Sequence, residues 1–127
     1  MNRLRQKNGF TLIELLVVMA IIATLLTIAV PRYFTSLEHS REAVLQQDLA
    51  AMRQSLDKYY GDKGKYPDSL EELVSSKYLR SVPVDPITDS NVSWVVVAPQ
   101  NADMGAVYDI KSGAEGTASN GTAYRDW

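Results

Sequence analysis

The stretch that decides the fold covers residues 9–31 and reads GFTLIELLVVMAIIATLLTIAVP. From Phe10 to Val30 its only charged side chain is that of Glu14. An α-helix of about 21 residues spans roughly 30 Å, the thickness of the hydrocarbon core of a bilayer. The sequence therefore predicts a membrane-spanning helix, and the carboxylate in its second turn needs an explanation.

The charges on either side of the apolar run predict its orientation. Arg3, Arg5 and Lys7 precede it, and the first nine residues contain no acid. The chain has 127 residues and a formal charge of −2; without those three bases, ten basic residues face 15 acidic ones. Basic residues stay on the cytoplasmic side of a membrane helix, so the larger C-terminal part is expected outside. The acidic remainder does not suggest a nucleic-acid partner.

Two ordinary interpretations of the N-terminus leave Glu14 unexplained. A removed secretory signal has a shorter apolar region and a small-residue cleavage site, and neither matches here. A plain signal anchor fits the length, but a charge near the centre of a membrane costs about 2.5–3.5 kcal/mol and usually marks function. A carboxylate in this position requires a nearby cation.

The remaining residues give no indication of catalysis. The chain has no cysteine and one histidine, His39, which lies in a polar stretch and is expected at the surface. No Ser–His motif and no phosphate-binding glycine loop is present. Asp85 and Asp89 resemble paired carboxylates, but they lie in a proline-rich segment where turn formation explains them more simply. The sequence therefore predicts a protein that is not an enzyme.

The segment after Pro31 is expected to continue the helix with an amphipathic half. Apolar residues recur at spacings of four and three, which is the period of one buried helix face: Leu45, Leu49, Met52, Leu56 and Tyr59. One helix is therefore predicted from about Phe10 to Tyr60. Pro31 should kink it or locally melt it, and Gly61 and Gly64 should end it.

The last half of the chain predicts a small α/β head. Asp68, with Glu71 three residues later, should cap a short helix over 68–79. Strands are expected at 92–98 and 106–112, joined as a hairpin that the helical stripe must cover. The fold class is thus α+β, a long N-terminal helix packed on a head with a short helix and a small antiparallel sheet. The expected divisions are a leader (1–9), a transmembrane and assembly helix (10–31), an amphipathic helix (32–61) and the head (62–127).

The N-terminal motif resembles the class III signal of type IV pilins and type II secretion pseudopilins. The matching features are Gly9, the Phe10 that follows it, Glu14, the unbroken apolar stretch and Pro31. The resemblance implies that a prepilin peptidase cuts between Gly9 and Phe10 and that the new Phe10 amine is N-methylated. It also supplies the missing cation, because Glu14 of one subunit would pair with the Phe10 ammonium of its neighbour during assembly.

The second half resembles the short G-type major pseudopilin of type II secretion. The matching segments are KYPDSLEEL, KYLRSVPVDP and YDIKSGAEGT, in that order. The implied function is a structural subunit that moves from the bacterial inner membrane, with a cytoplasmic N-terminus and a periplasmic head, into a periplasmic pseudopilus. The implied partners are membrane lipid before assembly, other copies of the chain, the prepilin peptidase, the assembly platform with its ATPase, and minor pseudopilins. The alternative is a type IV pilus subunit for adhesion, motility or DNA uptake.

The tail of the head has two competing interpretations. Many G-type relatives bind calcium in an acidic loop, but here the available side chains are scattered and include at most three carboxylates: Asp109, Ser112, Glu115, Asn120 and Asp126. The simpler interpretation is that Tyr124 and Trp127 dock onto the hairpin near Trp94 and Tyr108. The sequence favours this hydrophobic docking and no cofactor, with calcium kept as the alternative.

Overall fold

The computed structural model describes residues 9–127 and has the expected α+β composition. Its helices are α1 (Leu12–Lys63) and α2 (Leu70–Ser75), and its strands are β1 (Val95–Val97) and β2 (Asp109–Lys111). Short 3-10 turns lie at Ala102–Met104 and Tyr124–Asp126. The chain divides into two compact units, one ending at Leu37 and the other comprising Glu38–Trp127. Residues 1–8, which carry most of the expected leader, lie outside the described part.

The first part of α1 is an exposed apolar helix. Its side chains at residues 12–30 are all exposed, and α1 is the one described helix that is long and apolar enough to cross a membrane. Helical structure continues through Pro31, and the Thr35 hydroxyl donates to the Pro31 carbonyl at 3.1 Å. The expectation of local melting at Pro31 is therefore wrong, because neighbouring turns keep the helix despite the missing N–H. A bend at Pro31 stays a prediction.

The second part of α1 provides one wall of the head's core. All five apolar residues of the expected stripe are buried, which confirms the periodicity argument. The helix ends later than expected: Gly61 lies inside it, with open space around it, whereas Gly64 has a positive φ of 72° and donates its N–H to the Tyr60 carbonyl at 2.8 Å. Gly64 alone therefore forms the C-terminal stop, since a left-handed residue there satisfies a last-turn carbonyl.

The short helix α2 is capped one residue later than the sequence pattern suggested. Ser69 is the N-cap, and its hydroxyl accepts from the Glu72 N–H at 3.3 Å. The Glu72 carboxylate in turn accepts from the Asp68 N–H at 2.6 Å. Both Asp68–Glu71 and Ser69–Glu72 fit the capping pattern, and the second register buries Leu70 and Leu73.

The β-hairpin exists, but its strands are shorter than expected. In the described residues β1 and β2 form a two-stranded antiparallel sheet in which Val96 pairs with Ile110. Ile110 is fully buried, whereas Val95 and Val96 remain about half exposed. The valine-rich segment therefore forms a strand because valine favours β-structure, although two of its valines are not buried.

The proline-rich segment between α2 and β1 is a turn built around a buried carboxylate. Asp85 accepts hydrogen bonds from the Ile87 N–H at 2.8 Å and from the Ser112 hydroxyl at 2.5 Å. Its backbone also bridges to Ser90. The structure agrees with the turn-forming interpretation of Asp85, and it uses the same carboxylate to hold the end of the hairpin.

Candidate processing and assembly site, and the attachment of the tail

The expected cleavage site lies at the free beginning of α1. Gly9, Phe10 and Thr11 precede the first helical residue, and the Phe10 side chain is 92% exposed. No described residue crowds Gly9, because a Cβ placed there would meet nothing within 4 Å. A peptide bond outside the helix and free of packing contacts is accessible to a peptidase cleft. Cleavage between Gly9 and Phe10 stays a prediction.

Glu14 has a local role that the sequence reasoning missed. Its carboxylate accepts from the Thr11 N–H at 3.3 Å, while the Thr11 hydroxyl accepts from the Glu14 N–H at 3.2 Å. This reciprocal pair is a capping box, which satisfies two of the free amides at a helix N-terminus. The T-L-I-E pattern of this capping box is visible in the sequence. The sequence reasoning looked for a cation near Glu14 and did not consider Thr11 as its partner.

The capping box leaves Glu14 able to bind a second group. The carboxylate uses one oxygen for the Thr11 amide, it is exposed, and the helix around it presents apolar side chains. A helix N-terminus stabilises a negative charge, and the hydrogen bond from the Thr11 amide orients the Glu14 carboxylate. An ammonium group brought close to this carboxylate would complete a charge pair in apolar surroundings, as the assembly hypothesis requires.

In the head, a carboxylate from α1 holds the tail of the chain. Glu42 is 8% exposed and accepts from the Ser119 hydroxyl at 2.6 Å, the Ser119 N–H at 2.7 Å and the Tyr124 hydroxyl at 3.2 Å. The hydrogen bonds from the Ser119 side chain and backbone hold the pKa of Glu42 below its usual value, although burial opposes them. His39 is exposed, as expected, and its Nδ1 lies 3.8 Å from Glu42.

Arg53 makes a second connection between α1 and the tail. Its guanidinium donates to Asp109 at 2.9 Å, to the Ile110 carbonyl at 3.0 Å and to the Trp127 backbone oxygen at 2.5 Å. Lys111 also donates to that Trp127 oxygen, at 3.1 Å. Sequence periodicity placed Arg53 off the buried stripe, but its long side chain reaches the edge of β2 from there.

The aromatic residues of the tail are anchors, as expected, although their neighbours differ in part. Tyr124 is buried and Trp127 packs against the core cluster that includes Trp94. The two rings meet edge to face, with centroids 5.4 Å apart. Tyr108 instead contacts Tyr66, with centroids 5.3 Å apart. The tail therefore docks both through these aromatic rings and through its hydrogen bonds with Glu42 and Arg53 of α1.

The calcium candidates are already engaged in other contacts or separate from one another. Asp109 accepts from Arg53, Ser112 donates to Asp85, and Asn120 accepts from the Thr122 N–H at 3.1 Å. Glu115 and Asp126 are exposed. Within residues 9–127 no group of three or more His, Asp or Glu side chains is positioned to hold a metal. Calcium takes six to eight oxygen ligands, among them carboxylates, backbone carbonyls and water. The preference for no cofactor over calcium stays a prediction.

Comparison with known proteins finds relatives that match both the N-terminal motif and the head. The prokaryotic N-terminal methylation motif matches residues 4–30. The type II secretion system core protein G of Pseudomonas aeruginosa is 29% identical over 97% of this chain and 96% of that protein. The corresponding protein of Klebsiella pneumoniae is 30% identical, over 65% of this chain and 71% of that protein. The fimbrial protein EcpC of Eikenella corrodens is 30% identical over 91% of this chain and 78% of that protein.

No solved structure matches the chain, so its classification follows from sequence relatives and from its own fold. A methylation motif leading into an exposed apolar helix, followed by a small α/β head, defines a pilin-like subunit. Within that class, the chain belongs to the family of the type II secretion system core protein G, the pseudopilins.

Proposed function

We propose that this protein is the subunit of a periplasmic pseudopilus that serves type II protein secretion. The observation that supports this most strongly is the continuity of α1, which begins at the motif of Gly9, Phe10 and Glu14 and ends in the core of the head. A single continuous helix of this kind combines a membrane anchor with a scaffold for stacking subunits. The function is structural.

Processing comes first in the proposed sequence of events. A prepilin peptidase removes the leader at the Gly9–Phe10 bond, and the new amine of Phe10 is methylated. The chain is then held in the inner membrane by residues 10–31, with the head in the periplasm. Exposure of Gly9 and Phe10 ahead of the helix supports this step.

Intact-mass analysis of the membrane-extracted protein tests processing directly. The expected mass corresponds to a chain that begins at Phe10 and carries one methyl group. Gly9→Val should insert but remain uncut, because a branched side chain at the cleavage position hinders access, whereas Gly9→Ala is the matched control and should be cut at least in part. A mature protein that still begins at Met1 in cells with active peptidase would contradict the assignment.

Assembly then follows from the chemistry of Glu14. In the free subunit the carboxylate is satisfied by the Thr11 amide. In the fibre it pairs with the Phe10 ammonium of the neighbouring copy, which sets the register between adjacent helices. The assembly platform and its ATPase supply the energy, and minor pseudopilins form the tip.

A deletion strain distinguishes this function from its closest alternative. Loss of exoprotein release with normal surface piliation, restored by the intact gene, is the outcome expected of a secretion pseudopilin. Normal secretion together with loss of surface pili would instead identify a type IV pilus subunit. The alternative is kept because EcpC, a fimbrial protein, is 30% identical over most of the chain.

A further inference from the structure

Two exposed aromatic residues lie directly after the apolar part of α1. Tyr33 is 64% exposed and Phe34 is 61% exposed, and their rings meet edge to face with centroids 5.8 Å apart. Arg32 precedes them, and helical structure continues on both sides. Neither ring is buried by the described chain, so the pair needs an explanation outside the isolated subunit.

The side chains of the triplet formed by Arg32, Tyr33 and Phe34 suit the boundary between lipid and water. Aromatic rings such as that of Tyr33 are enriched at the headgroup level of membrane helices, where an apolar body and a polar edge are both satisfied. The Arg32 guanidinium complements lipid phosphates, and its flexible stem allows it to reach them. The triplet is also continuous with the membrane-length helix, so lipid is the occupant that its position indicates.

The distance between Glu14 and Arg32 along the helix limits how deeply the helix can lie in the bilayer. Glu14 and Arg32 are about 27 Å apart along the helix at 1.5 Å per residue, slightly less than the roughly 30 Å hydrocarbon core. One of the two charged side chains must therefore be drawn inwards. Tyr33 and Phe34 favour the interface over water, so they draw the Arg32 end inwards and leave Glu14 at the opposite boundary.

Processing makes this outer anchor more important. Removal of residues 1–9 takes away Arg3, Arg5 and Lys7, which otherwise hold the inner end at the headgroups. Resting on the function proposed above, we propose that Arg32, Tyr33 and Phe34 form a lipid-interface anchor that sets the depth of the helix. The anchor keeps Glu14 at the inner boundary, accessible for pairing, until a subunit is assembled.

Spin-label depth measurements test this anchor. The chain has no cysteine, so a single Leu16→Cys substitution provides a unique label site close to Glu14. The chain is produced with prepilin peptidase, its N-terminus is checked by mass, and it is reconstituted in vesicles of phosphatidylethanolamine and phosphatidylglycerol. In the Tyr33→Ser/Phe34→Ser variant the label should move towards the bilayer centre by several ångströms, up to about one helical turn of 5 Å.

Two controls make the result specific. Tyr33→Trp/Phe34→Trp keeps an aromatic pair and should preserve the original depth. Tyr60→Ser removes an exposed tyrosine near the C-terminal end of α1 and should leave the label where it was. An unchanged depth in the double-serine variant would overturn the proposal. If that variant also lost its fibres, the pair would be assigned to packing between copies instead of to lipid.

The measurement is independent of the secretion function. A failed depth shift leaves the secretion phenotype of the deletion strain untouched. Conversely, a pilus subunit with this helix would still show the shift.

Discussion

At the scale of single residues, the Glu14 carboxylate has one observed partner, Thr11, and one proposed partner in the fibre. The Glu14 capping box gives the free subunit a satisfied helix start, and the same side chain is the proposed ion-pair partner in the fibre. Removing Glu14 therefore has two separable consequences. Thr11→Ala separates them, because it removes only the hydroxyl half of the capping box.

Glu14→Leu is expected to insert and to be processed as well as wild type, but to fail in assembly. Leucine removes the insertion cost of the carboxylate and also the partner for the neighbouring ammonium. Thr11→Ala should cost about 1 kcal/mol of local helix stability and still assemble. Fibre yield and cleavage are both measured by immunoblot of sheared and membrane fractions. Normal fibres from Glu14→Leu would show that the pairing argument is wrong.

Glu42 is the second residue whose charge matters, and its position was readable in the sequence. It lies three residues before Leu45, so it continues the 3.6-residue period of the buried stripe. A carboxylate at a core position indicates a polar partner from elsewhere in the chain. The partner, Ser119, is far away in sequence, so periodicity alone could not identify it.

Glu42 should make the head sensitive to acid. Its pKa is lower in the folded than in the unfolded state, so its stabilisation is present above the unfolded value and is lost as the pH falls through the folded value. Glu72 acts in the same direction, since the Asp68 amide lowers its pKa, while Asp48, whose pKa is raised by burial, partly offsets both. The soluble fragment from Thr35 should therefore lose stability as the pH falls below 4.5, the ordinary value of a glutamate carboxyl.

Glu42→Gln is the matched test of that acid response. Glutamine keeps the shape but not the charge, so the variant should be less stable at neutral pH by about 1–3 kcal/mol. Its loss of stability on acidification should be smaller than that of wild type. Urea unfolding at each pH measures both quantities. Equal acid slopes for the two proteins would show that Glu42 does not carry the effect.

At the scale of elements, the sequence predicted what periodicity and composition control. The long helix, its buried stripe and the antiparallel hairpin were all expected and are present. Apart from the melting expected at Pro31, the errors lie at element ends: Gly61 does not stop α1, and Ser69 replaces Asp68 as the cap of α2. Ends depend on which of two adjacent, similar patterns gives the better burial, and that choice requires the tertiary structure.

Two glycines should respond to alanine with opposite signs. A Cβ at Gly113 would overlap the backbone oxygen of Ser93, so Gly113→Ala must push apart the segments that flank the hairpin strands. Gly61 lies inside α1 with open space around it, so Gly61→Ala should stabilise the fragment by up to about 1 kcal/mol. Thermal unfolding of both fragments measures the difference. A Gly113→Ala fragment as stable as wild type would contradict the close approach.

At the scale of the whole molecule, the head is a small core completed by its own tail. The core cluster combines one face of α1 with residues of α2, β2 and the tail, including Leu73, Ile110 and Tyr124. The chain has no cysteine, so no disulfide contributes to the stability of this unit. Polar side chains of α1 instead connect to a glycine-rich tail that has few apolar residues of its own. The sequence could not predict these connections, because Glu42 is 77 residues from Ser119 and Arg53 is 74 residues from Trp127.

Melting temperatures of tail variants distinguish hydrophobic docking of the tail from calcium binding. Trp127 contributes its ring to the core, donates its indole N–H to Thr122 at 2.7 Å and offers its backbone oxygen to Arg53. Trp127→Ala should therefore clearly lower the melting temperature of the fragment from Thr35, since it removes the packing of a partly buried ring and the indole hydrogen bond, together worth about 1–3 kcal/mol. Asp126→Ala, at an exposed neighbour, is the control and should change little.

The same fragment should melt at nearly the same temperature with and without a chelator. The carboxylates of the tail are dispersed, and Asp109 is already paired with Arg53, so a calcium ion would have to displace contacts that stabilise the folded state. A ligand that binds only the folded state raises the melting temperature as its concentration rises above its dissociation constant. A rise of many degrees on adding millimolar calcium, abolished in Asp126→Ala, would therefore show that the tail binds the metal and would overturn the preference for hydrophobic docking alone.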